Sequence, residues 1–158
     1  MIVQIKPGAW KDIQGPLLKV EKEIFGKKAF PEDEDCFETF RNPRAYNLAV
    51  YDESELVGYL MSERLSESEC HKGMKDRDKI LYLESVGILA KYQGRGIGKA
   101  LIELYLEHAK RKNYKKCLLD TAEESMIGLA EHLGFEKIRY SKSFKEYGGS
   151  WIMEKNIE

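Results

Sequence analysis

The chain has few cysteines and no long apolar segment, and these two shortages exclude several classes of protein. Its three cysteines, Cys36, Cys70 and Cys117, are odd in number and lack the paired spacing of zinc ligands. They therefore predict reduced thiols rather than a disulfide framework or a metal site. No segment approaches the ~18 consecutive apolar residues of a membrane-spanning helix, and the N-terminus lacks an apolar stretch of signal-peptide length. We expect a soluble cytoplasmic protein with no metal and no membrane partner.

An excess of charge of either sign is also missing. The chain has 26 basic and 27 acidic side chains and a net charge of −1. A protein whose main task is nonspecific nucleic-acid binding usually carries a marked basic excess, so we predict no nucleic-acid partner. The length fits one core that buries about 68–70% of the unfolded surface, and no repeat or low-complexity linker divides it. We expect residues 1–158 to form a single domain.

The spacing of apolar residues predicts a mixed α/β order. Strands are predicted at residues 2–6, 46–51, 56–65, 80–89, 116–121 and 151–157, and helices at 10–25, 33–40, about 96–112 and a short stretch ending in Leu133-Gly134-Phe135. The second and third strands flank a polar interval of hairpin length and should pair antiparallel. Asn113 is expected to end the long helix in a left-handed conformation. Residues 66–79 are hydrophilic and predict an exposed, mobile connection, a candidate border of the acceptor site.

The most informative feature that is present is a glycine-rich run between a predicted strand and the long helix. Residues 93–100 read Gln-Gly-Arg-Gly-Ile-Gly-Lys-Ala. The first amides of a helix have no intrahelical partner, and glycine lets an anionic group approach them without meeting a Cβ. A glycine at a helix start that serves no purpose costs on the order of 0.5–1 kcal/mol. Three of them in five residues therefore predict a phosphate-binding loop.

The spacing of the run excludes two common phosphate-binding loops. A P-loop needs a glycine five residues before its Gly-Lys pair and a hydroxyl after the lysine, and these places hold Gln93 and Ala100. A dinucleotide fingerprint that starts at Gly94 needs a glycine at position 99, which is Lys99. An enzyme that binds ATP or NAD is therefore disfavoured. The pattern that remains is QxxGxG, from Gln93 to Gly98.

In this pattern the chain resembles the GCN5-related N-acetyltransferase superfamily, whose acyl-CoA loop reads Q/R-x-x-G-x-G/A. A helix that runs into Leu133-Gly134-Phe135 is typical of the family. The closing strand near residues 151–157 also follows the family's order of elements. The resemblance covers the C-terminal half well. The N-terminal half matches in element order and in Ala29-Phe30-Pro31, similar to the ribosomal-protein and protein N-terminal acetyltransferase branch. It implies a mixed, twisted sheet of about six or seven strands, flanked by helices and splayed between two central parallel strands.

The resemblance also implies acetyl-CoA as cosubstrate, without a metal. The strand before the loop would pair its backbone with the pantetheine arm, Gly87 suiting the close approach, and the loop would bind the pyrophosphate. The implied cofactor-binding residues are Val86, Gly87, Ile88, Gln93, Gly94, Arg95, Gly96, Ile97, Gly98 and Lys99, with Ser125 taking part of the role of an asparagine usual in the family. Phosphate contact by the Arg95 and Lys99 side chains and their ordinary solvation both remain open.

The catalytic residues depart from the family pattern. The family often has a tyrosine as general acid at the position that Ala130 occupies here. As general base we consider Glu84 and Asp120, which flank the implied splay, and as replacement acid Tyr140, with Tyr147 as a second choice. Each has an ordinary alternative: Glu84 on a solvated sheet face, Asp120 as a helix cap, and the tyrosines as packing residues.

The expected activity is direct transfer of an acetyl group from acetyl-CoA to a primary amine, on a protein N-terminus or on a small amine or polyamine. The acidic run of residues 32–35 favours a cationic acceptor, or is simply a solvated face. The alternative is a non-catalytic acyl-CoA-binding sensor or regulatory module, which Ala130 motivates. Acceptor identity, acyl-chain length and the choice between monomer and homodimer stay open.

Overall fold

The structure, a computed structural model, describes residues 3–26, 38–142 and 149–157, and in these ranges strands and helices alternate. The strands are β1 (Val3–Pro7), β2 (Tyr46–Asp52), β3 (Glu55–Arg64), β4 (Ile80–Ile88), β5 (Lys116–Thr121), β6 (Glu136–Ser141) and β7 (Ser150–Asn156). The helices are α1 (Trp10–Phe25), α2 (Glu38–Arg41), α3 (Ile97–Arg111) and α4 (Glu124–His132). Of the helix predicted at 33–40, the residues before 38 lie outside the described ranges.

The strands form one seven-stranded mixed sheet in the order β1-β2-β3-β4-β5-β7-β6. The β1–β2, β2–β3, β5–β7 and β6–β7 pairs are antiparallel. Strand β4 pairs with β5 in parallel, from Ile80 opposite Lys116 to Leu83 opposite Leu119. Helices flank this sheet, so the predicted α/β class, with two central parallel strands, is confirmed.

Two compact units share the chain. The first comprises the described residues of Met1–Ser62 and Ser85–Ile102. The second comprises those of Glu63–Glu84 and Glu103–Glu158. The single domain over residues 1–158 stays a prediction.

Helix α1 belongs to the first unit and has the bounds that its apolar spacing predicted. Ile13, Leu17 and Val20 recur at three- and four-residue intervals and are buried, at 1%, 0% and 4% exposure. The helix ends at Gly26, whose φ of 55° favours glycine and whose N–H donates to the carbonyl oxygen of Lys22. Within the same unit β2 and β3 form the predicted antiparallel hairpin, with Asp52 opposite Glu55.

The core of the second unit includes a cluster formed by Leu65, Ile80, Tyr82, Leu118 and Ile152. Cys117, on the opposite side of β5 from its neighbour Leu118, is fully buried, as predicted. After α3, Asn113 has a φ of 61° and takes the predicted left-handed position.

The prediction of an exposed connection at residues 66–79 is wrong for several of its side chains. Short 3₁₀ turns at Leu65–Glu67 and Arg77–Lys79 begin and end the segment. Ser68 is only 6% exposed. Arg77 Nη2 donates to the carbonyl oxygens of Leu65, Ser68 and Cys70 at 3.0, 2.8 and 2.9 Å. A hydrophilic composition misleads here because the polar groups bond to one another instead of to water.

Candidate functional site

The glycine loop, in the first unit, turns the chain from β4 into α3. Gly94 and Gly96 have φ values of 75° and 82°. A Cβ on either would meet no other atom within 4 Å, so the backbone angle and not crowding requires glycine there. The N–H of Ala100 makes the first bond of α3, to the Gly96 carbonyl oxygen at 3.0 Å. The loop therefore leads directly into the first turn of α3, the part of a helix where the positive end of the helix dipole lies.

Side chains brace both ends of the glycine loop. Gln93 Nε2 donates to the carbonyl oxygen of Ile88 at 3.0 Å and joins the loop to the end of β4. The Tyr92 hydroxyl donates to Asp52 Oδ2 at 2.5 Å, and this hydrogen bond, with burial, raises the pKa of Tyr92 to about 12. The Arg95 guanidinium lies 5.6 Å from the centre of the Tyr92 ring. Arg95 therefore interacts with the ring, and Gln93 holds the loop in place.

The end of β4 is packed tightly around Gly87. A Cβ on Gly87 would lie 2.9 Å from Ile24 Cδ1 and 2.9 Å from Tyr59 Cε1. These two side chains therefore leave no room for a Cβ at this position, and the close approach of the pantetheine arm to Gly87 stays a prediction. The Tyr59 hydroxyl in turn donates to Glu21, which is 3% exposed, and lies 3.2 Å from Ser85 Oγ. This polar network fixes the ring against which Gly87 packs.

In the second unit, hydrogen bonds join the loop between β3 and β4 to the end of β5. His71 Nε2 lies 3.0 and 2.8 Å from the two carboxylate oxygens of Asp120. The Tyr82 hydroxyl donates to the same carboxylate, and the rings of His71 and Tyr82 meet edge to face at 5.5 Å. The side chains of His71 and Asp120 are only 8% and 9% exposed. We call His71, Tyr82 and Asp120 the Asp120 cluster.

Glu84 lies beside this cluster, on the same face of β4 as Tyr82 because the two are two residues apart. Ser68 Oγ donates to Glu84 Oε1 at 2.8 Å. Burial raises the pKa of Glu84 and the charge of Asp120 adds to the increase, although hydrogen bonds from Ser68 and Glu63 oppose it. The solvated-face interpretation of Glu84 is therefore wrong. A carboxylate with a raised pKa is a stronger proton acceptor than an ordinary one.

The alternative role of Asp120 as a helix cap is also wrong. Helix α4 has Glu123 at its N-cap position, with no side-chain cap. The N–H of Glu123 donates instead to Thr121 Oγ1 at 3.2 Å. Both oxygens of Asp120 bond to His71 instead.

The remaining predicted residues have less distinctive surroundings. Tyr140 on β6 is 45% exposed and packs edge to face against Trp151 at 5.3 Å. Ser125 is exposed in the first turn of α4. Ala130 is fully buried, and its carbonyl oxygen accepts the N–H of Phe135 at 2.9 Å, so the family's tyrosine position belongs to the core here. Tyr147 and residues 32–35 lie outside the described residues.

Two residues of the Asp120 cluster were not predicted from the sequence. The alternation of β4 offered a signal for Tyr82, because it places Tyr82 with Glu84 on the face opposite Leu81 and Leu83. His71 had no such signal, because it lies in an irregular segment and its partner is 49 residues away. Its φ of 52° is unusual for a residue with a Cβ and marks a constrained backbone.

The described ranges contain neither a membrane-spanning helix nor a cluster of metal ligands. No helix there is long and apolar enough to cross a bilayer. No group of three or more histidine, cysteine, aspartate or glutamate side chains in the same ranges is arranged to hold a metal ion.

The chain is similar to known acetyltransferases. Residues 10–135 match the profile of the acetyltransferase (GNAT) family. N-acetyltransferase YjgM of Escherichia coli (strain K12) is 31% identical over 116 residues, which are 72% of this chain and 64% of that protein. The chain thus spans less than two thirds of the length of this relative.

Two solved structures show the same fold. The ribosomal-protein-S18-alanine N-acetyltransferase from Escherichia coli has a TM-score of 0.77 at 17% identity, over 99% of this chain and 95% of that one. Arabidopsis thaliana NAA60 in complex with acetyl-CoA has a TM-score of 0.77 at 20% identity, over 99% of both chains.

Proposed function

The chain belongs to the acetyltransferase (GNAT) family, and we propose that it transfers an acetyl group from acetyl-CoA directly to a primary amine. The acceptor is a protein N-terminus or a small amine such as a polyamine. The observation that carries the proposal is the glycine loop, in which two left-handed glycines, Gly94 and Gly96, lead directly into the first turn of α3. This is the arrangement that binds phosphate groups at a helix N-terminus.

The loop would bind the pyrophosphate of acetyl-CoA through the amides from Gly94 to Lys99. Arg95 and Lys99 would add charge-assisted hydrogen bonds, and Gln93 would act by holding the loop to Ile88. The backbone of Val86, Gly87 and Ile88 would pair with the pantetheine arm. We propose that β4 and β5 separate at this place to admit the arm. Ser125 remains proposed only from the family resemblance.

The acceptor amine must be neutral before it attacks the thioester. A lysine-type amine with a pKa of about 10.4 is unprotonated in only about one molecule in 2,500 at pH 7, which costs about 4.6 kcal/mol. An α-amino group, with a pKa of about 7.7–8.0, costs much less. A proton acceptor lowers this cost, and Glu84 and Asp120 are the proposed ones. Because both groups are carboxyls, they favour an acceptor amine that arrives as a cation.

The leaving group makes a smaller demand. A thiol has a pKa of about 8.5 in the cysteine analogue, so the CoA thiolate can depart without a strong acid. Tyr140 is the acid that we propose from the sequence, and its 45% exposure makes it accessible to a substrate. The missing family tyrosine at Ala130 therefore does not remove the activity.

The acceptor class is proposed from the family branch that the sequence resembles. One of the solved structures named above is called an N-acetyltransferase, and the other is a complex with acetyl-CoA. At 17% and 20% identity they support the fold alone. We place a protein N-terminus slightly ahead of a small amine because of the family branch that the sequence resembles. The alternative function is a non-catalytic acyl-CoA sensor, which the buried Ala130 favours.

Calorimetric titration with acetyl-CoA, CoA, ATP and NAD tests the role of the loop. The native chain should bind acetyl-CoA and CoA and neither ATP nor NAD, because only the CoA loop pattern is complete. Gly96→Glu places an anion at the phosphate position and should abolish binding. Gly26→Glu is the matched control, because Gly26 also has a positive φ, 55°, and no atom within 4 Å of a Cβ. It adds the same charge at a positive-φ glycine outside the loop.

The outcomes separate the candidate functions. Binding of neither CoA compound by the folded native chain would overturn the proposal. Equal losses in both variants would show strain rather than phosphate binding. If CoA binds, an assay for CoA release with free-amine peptides and with spermidine decides between the enzyme and the sensor, because a sensor gives no turnover.

A further inference from the structure

The loop between β3 and β4, residues 65–79, is held together by Arg77. The guanidinium donates to the carbonyl oxygens of Leu65, Ser68 and Cys70 and so ties the start of the loop to its end. His71 directly follows this bonded stretch and has a left-handed φ of 52°. Such a conformation costs on the order of 1 kcal/mol or more in a residue with a Cβ, and it persists where the surroundings enforce it. Here the enforced geometry directs the His71 ring at Asp120.

Asp120 has few hydrogen-bonding positions left for a substrate. His71 Nε2 bonds to both of its oxygens, and the Tyr82 hydroxyl donates to Oδ2. An ionised carboxylate can only accept hydrogen bonds, so an Asp120 carboxylate requires His71 Nε2 to be the donor. In a neutral ring bonded in this way, the proton is on Nε2 and Nδ1 is an acceptor. The described residues form no hydrogen bond to Nδ1.

We propose that His71, oriented by Asp120, takes the proton of the acceptor amine during acetyl transfer. This inference rests on the proposed function and moves the role of proton acceptor from Glu84 and Asp120 to His71, a residue of the 65–79 loop. His71 is the catalytic residue in this scheme, and Asp120 and Tyr82 are positioning residues. Asp120 also stabilises the imidazolium that forms, as a buried carboxylate does in other acid–histidine pairs.

The reaction balances without a further reactant. The amine lone pair attacks the thioester carbonyl carbon, the C–N bond forms, and the C–S bond breaks with its electron pair passing to sulfur. The arriving ammonium group first gives one proton to His71 Nδ1, which frees the lone pair for attack, and the imidazolium releases this proton to water. After the attack the nitrogen loses its second proton to the neutral ring, and the imidazolium passes that proton to the CoA thiolate.

The charges around His71 suit an amine that arrives as a cation. Tyr82 and Glu84 face the cluster from β4, Asp120 from β5, Cys70 from the loop itself, and the Glu63 carboxyl hydrogen-bonds Glu84 from β3. Three of these groups are carboxyls. The positive charge of Arg77 is engaged with backbone carbonyl oxygens. The balance is acidic, which attracts an ammonium group and repels an anionic acceptor.

The kinetic test compares His71→Gln with Lys72→Gln. Lys72 is the next residue, its side chain is 67% exposed, and the same substitution there leaves the cluster intact. With a free-amine peptide at pH 7 we expect His71→Gln to lower kcat about 10²–10⁴-fold, the usual range for general base catalysis. The acetyl-CoA Kd should be unchanged. The loss should shrink as the pH rises above the pKa of the peptide amine, because solvent then supplies the neutral nucleophile.

A loss of kcat that is the same at every pH would indicate a structural role and would overturn the proposal. A kcat within about threefold of native would overturn it also, since general base catalysis contributes far more. Lys72→Gln should match the native enzyme at each pH.

Magnetic resonance of isotope-labelled imidazole nitrogens tests the geometry without turnover. The His71 signals are identified by their absence in His71→Gln. In the native chain we expect a neutral His71 ring protonated at Nε2. In Asp120→Asn we expect either protonation at Nδ1 or a mixture of the two neutral forms. A native ring protonated at Nδ1 would overturn the proposal. If the native chain shows the expected ring but acetylates neither peptides nor spermidine, the proposed function fails, and with it the catalytic role of His71.

Discussion

Burial raises the pKa of three side chains around Asp120. Burial, and then the charge of Asp120, raise the pKa of Tyr82 well above its ordinary value, so its phenol stays protonated and acts as a donor. Burial, and then the charge of Glu84, raise the pKa of the Cys70 thiol. Burial likewise raises the pKa of Glu84, which makes its carboxylate a stronger proton acceptor than an ordinary one.

The protonated Cys70 makes a residue-scale prediction about the chemical route. A thiol whose pKa is raised is a poor nucleophile, so an acetyl-cysteine intermediate is disfavoured and transfer should be direct. Cys70→Ala should retain kcat within about threefold, well short of the ~10³-fold or larger losses seen when a nucleophile is removed. Initial rates at varied acetyl-CoA and amine should give intersecting lines, which indicate a ternary complex.

The opposite result has a clear signature. A ping-pong rate pattern, together with acetylated Cys70 found by mass spectrometry of enzyme treated with acetyl-CoA alone, would contradict direct transfer.

At the scale of elements, α3 has an apolar stripe that includes a histidine whose protonated form is disfavoured by its surroundings. Ile97, Leu101 and Tyr105 are buried along the stripe. His108 continues it, and burial, followed by the charges of Arg111 and Lys112, lowers its pKa to about 4. The basic residues of the last turn complement the helix dipole, but they also oppose protonation of this ring.

His108 should make the chain less stable in mild acid. Its folded pKa of about 4 lies below the ordinary value of 6.5, so the unfolded chain binds more protons between these values. Its contribution is complete above pH 6.5 and is lost as the pH falls towards 4. Because His108 is only partly buried, we expect a loss of only about 1 kcal/mol after allowance for solvent screening.

Thermal unfolding between pH 7 and pH 4 measures this effect. His108→Gln should lose less stability than the native chain over this interval, whereas His132→Gln, at the exposed end of α4, should follow the native curve. Parallel curves for His108→Gln and the native chain would show that the ring is protonated equally in both states.

At the scale of the whole molecule, each compact unit contains one of the two tryptophans. Trp10 begins α1 in the first unit, and Trp151 lies in β7 in the second. Units that belong to one domain unfold together in a single cooperative transition. Separate domains unfold at their own midpoints.

We predict that residues 1–158 unfold as one domain. In urea, the fluorescence transitions of Trp10→Phe and Trp151→Phe, each with one remaining tryptophan, should coincide with the transition seen by circular dichroism of the same variant. A fluorescence midpoint that differs from the circular dichroism midpoint within one variant would show that the two units are independent. The comparison within a variant removes the effect of the substitution on overall stability.

Local patterns predicted most of the elements. Helix α1 and strand β5 have the bounds that their apolar spacing indicated, and Asn113 takes the predicted left-handed position. These features depend on neighbours within a few residues, such as Ile13 and Leu17 on one helix face. The predicted exposure of residues 66–79 is wrong for several side chains, because Arg77 and Ser68 find their hydrogen-bond partners only when the chain folds. The spacing of apolar residues does not indicate such contacts.

Residue spacing and the backbone freedom of glycine at Gly94 and Gly96 are enough to predict the family, most of the elements and the glycine loop. These are short-range features of the chain. The groups that surround Glu84 and Asp120 come from distant parts of the chain and are brought together only by folding. The pairing of His71 with Asp120 joins residues 49 positions apart, through a loop that Arg77 closes. Burial and hydrogen bonding control the protonation of a side chain, and both are properties of the folded chain.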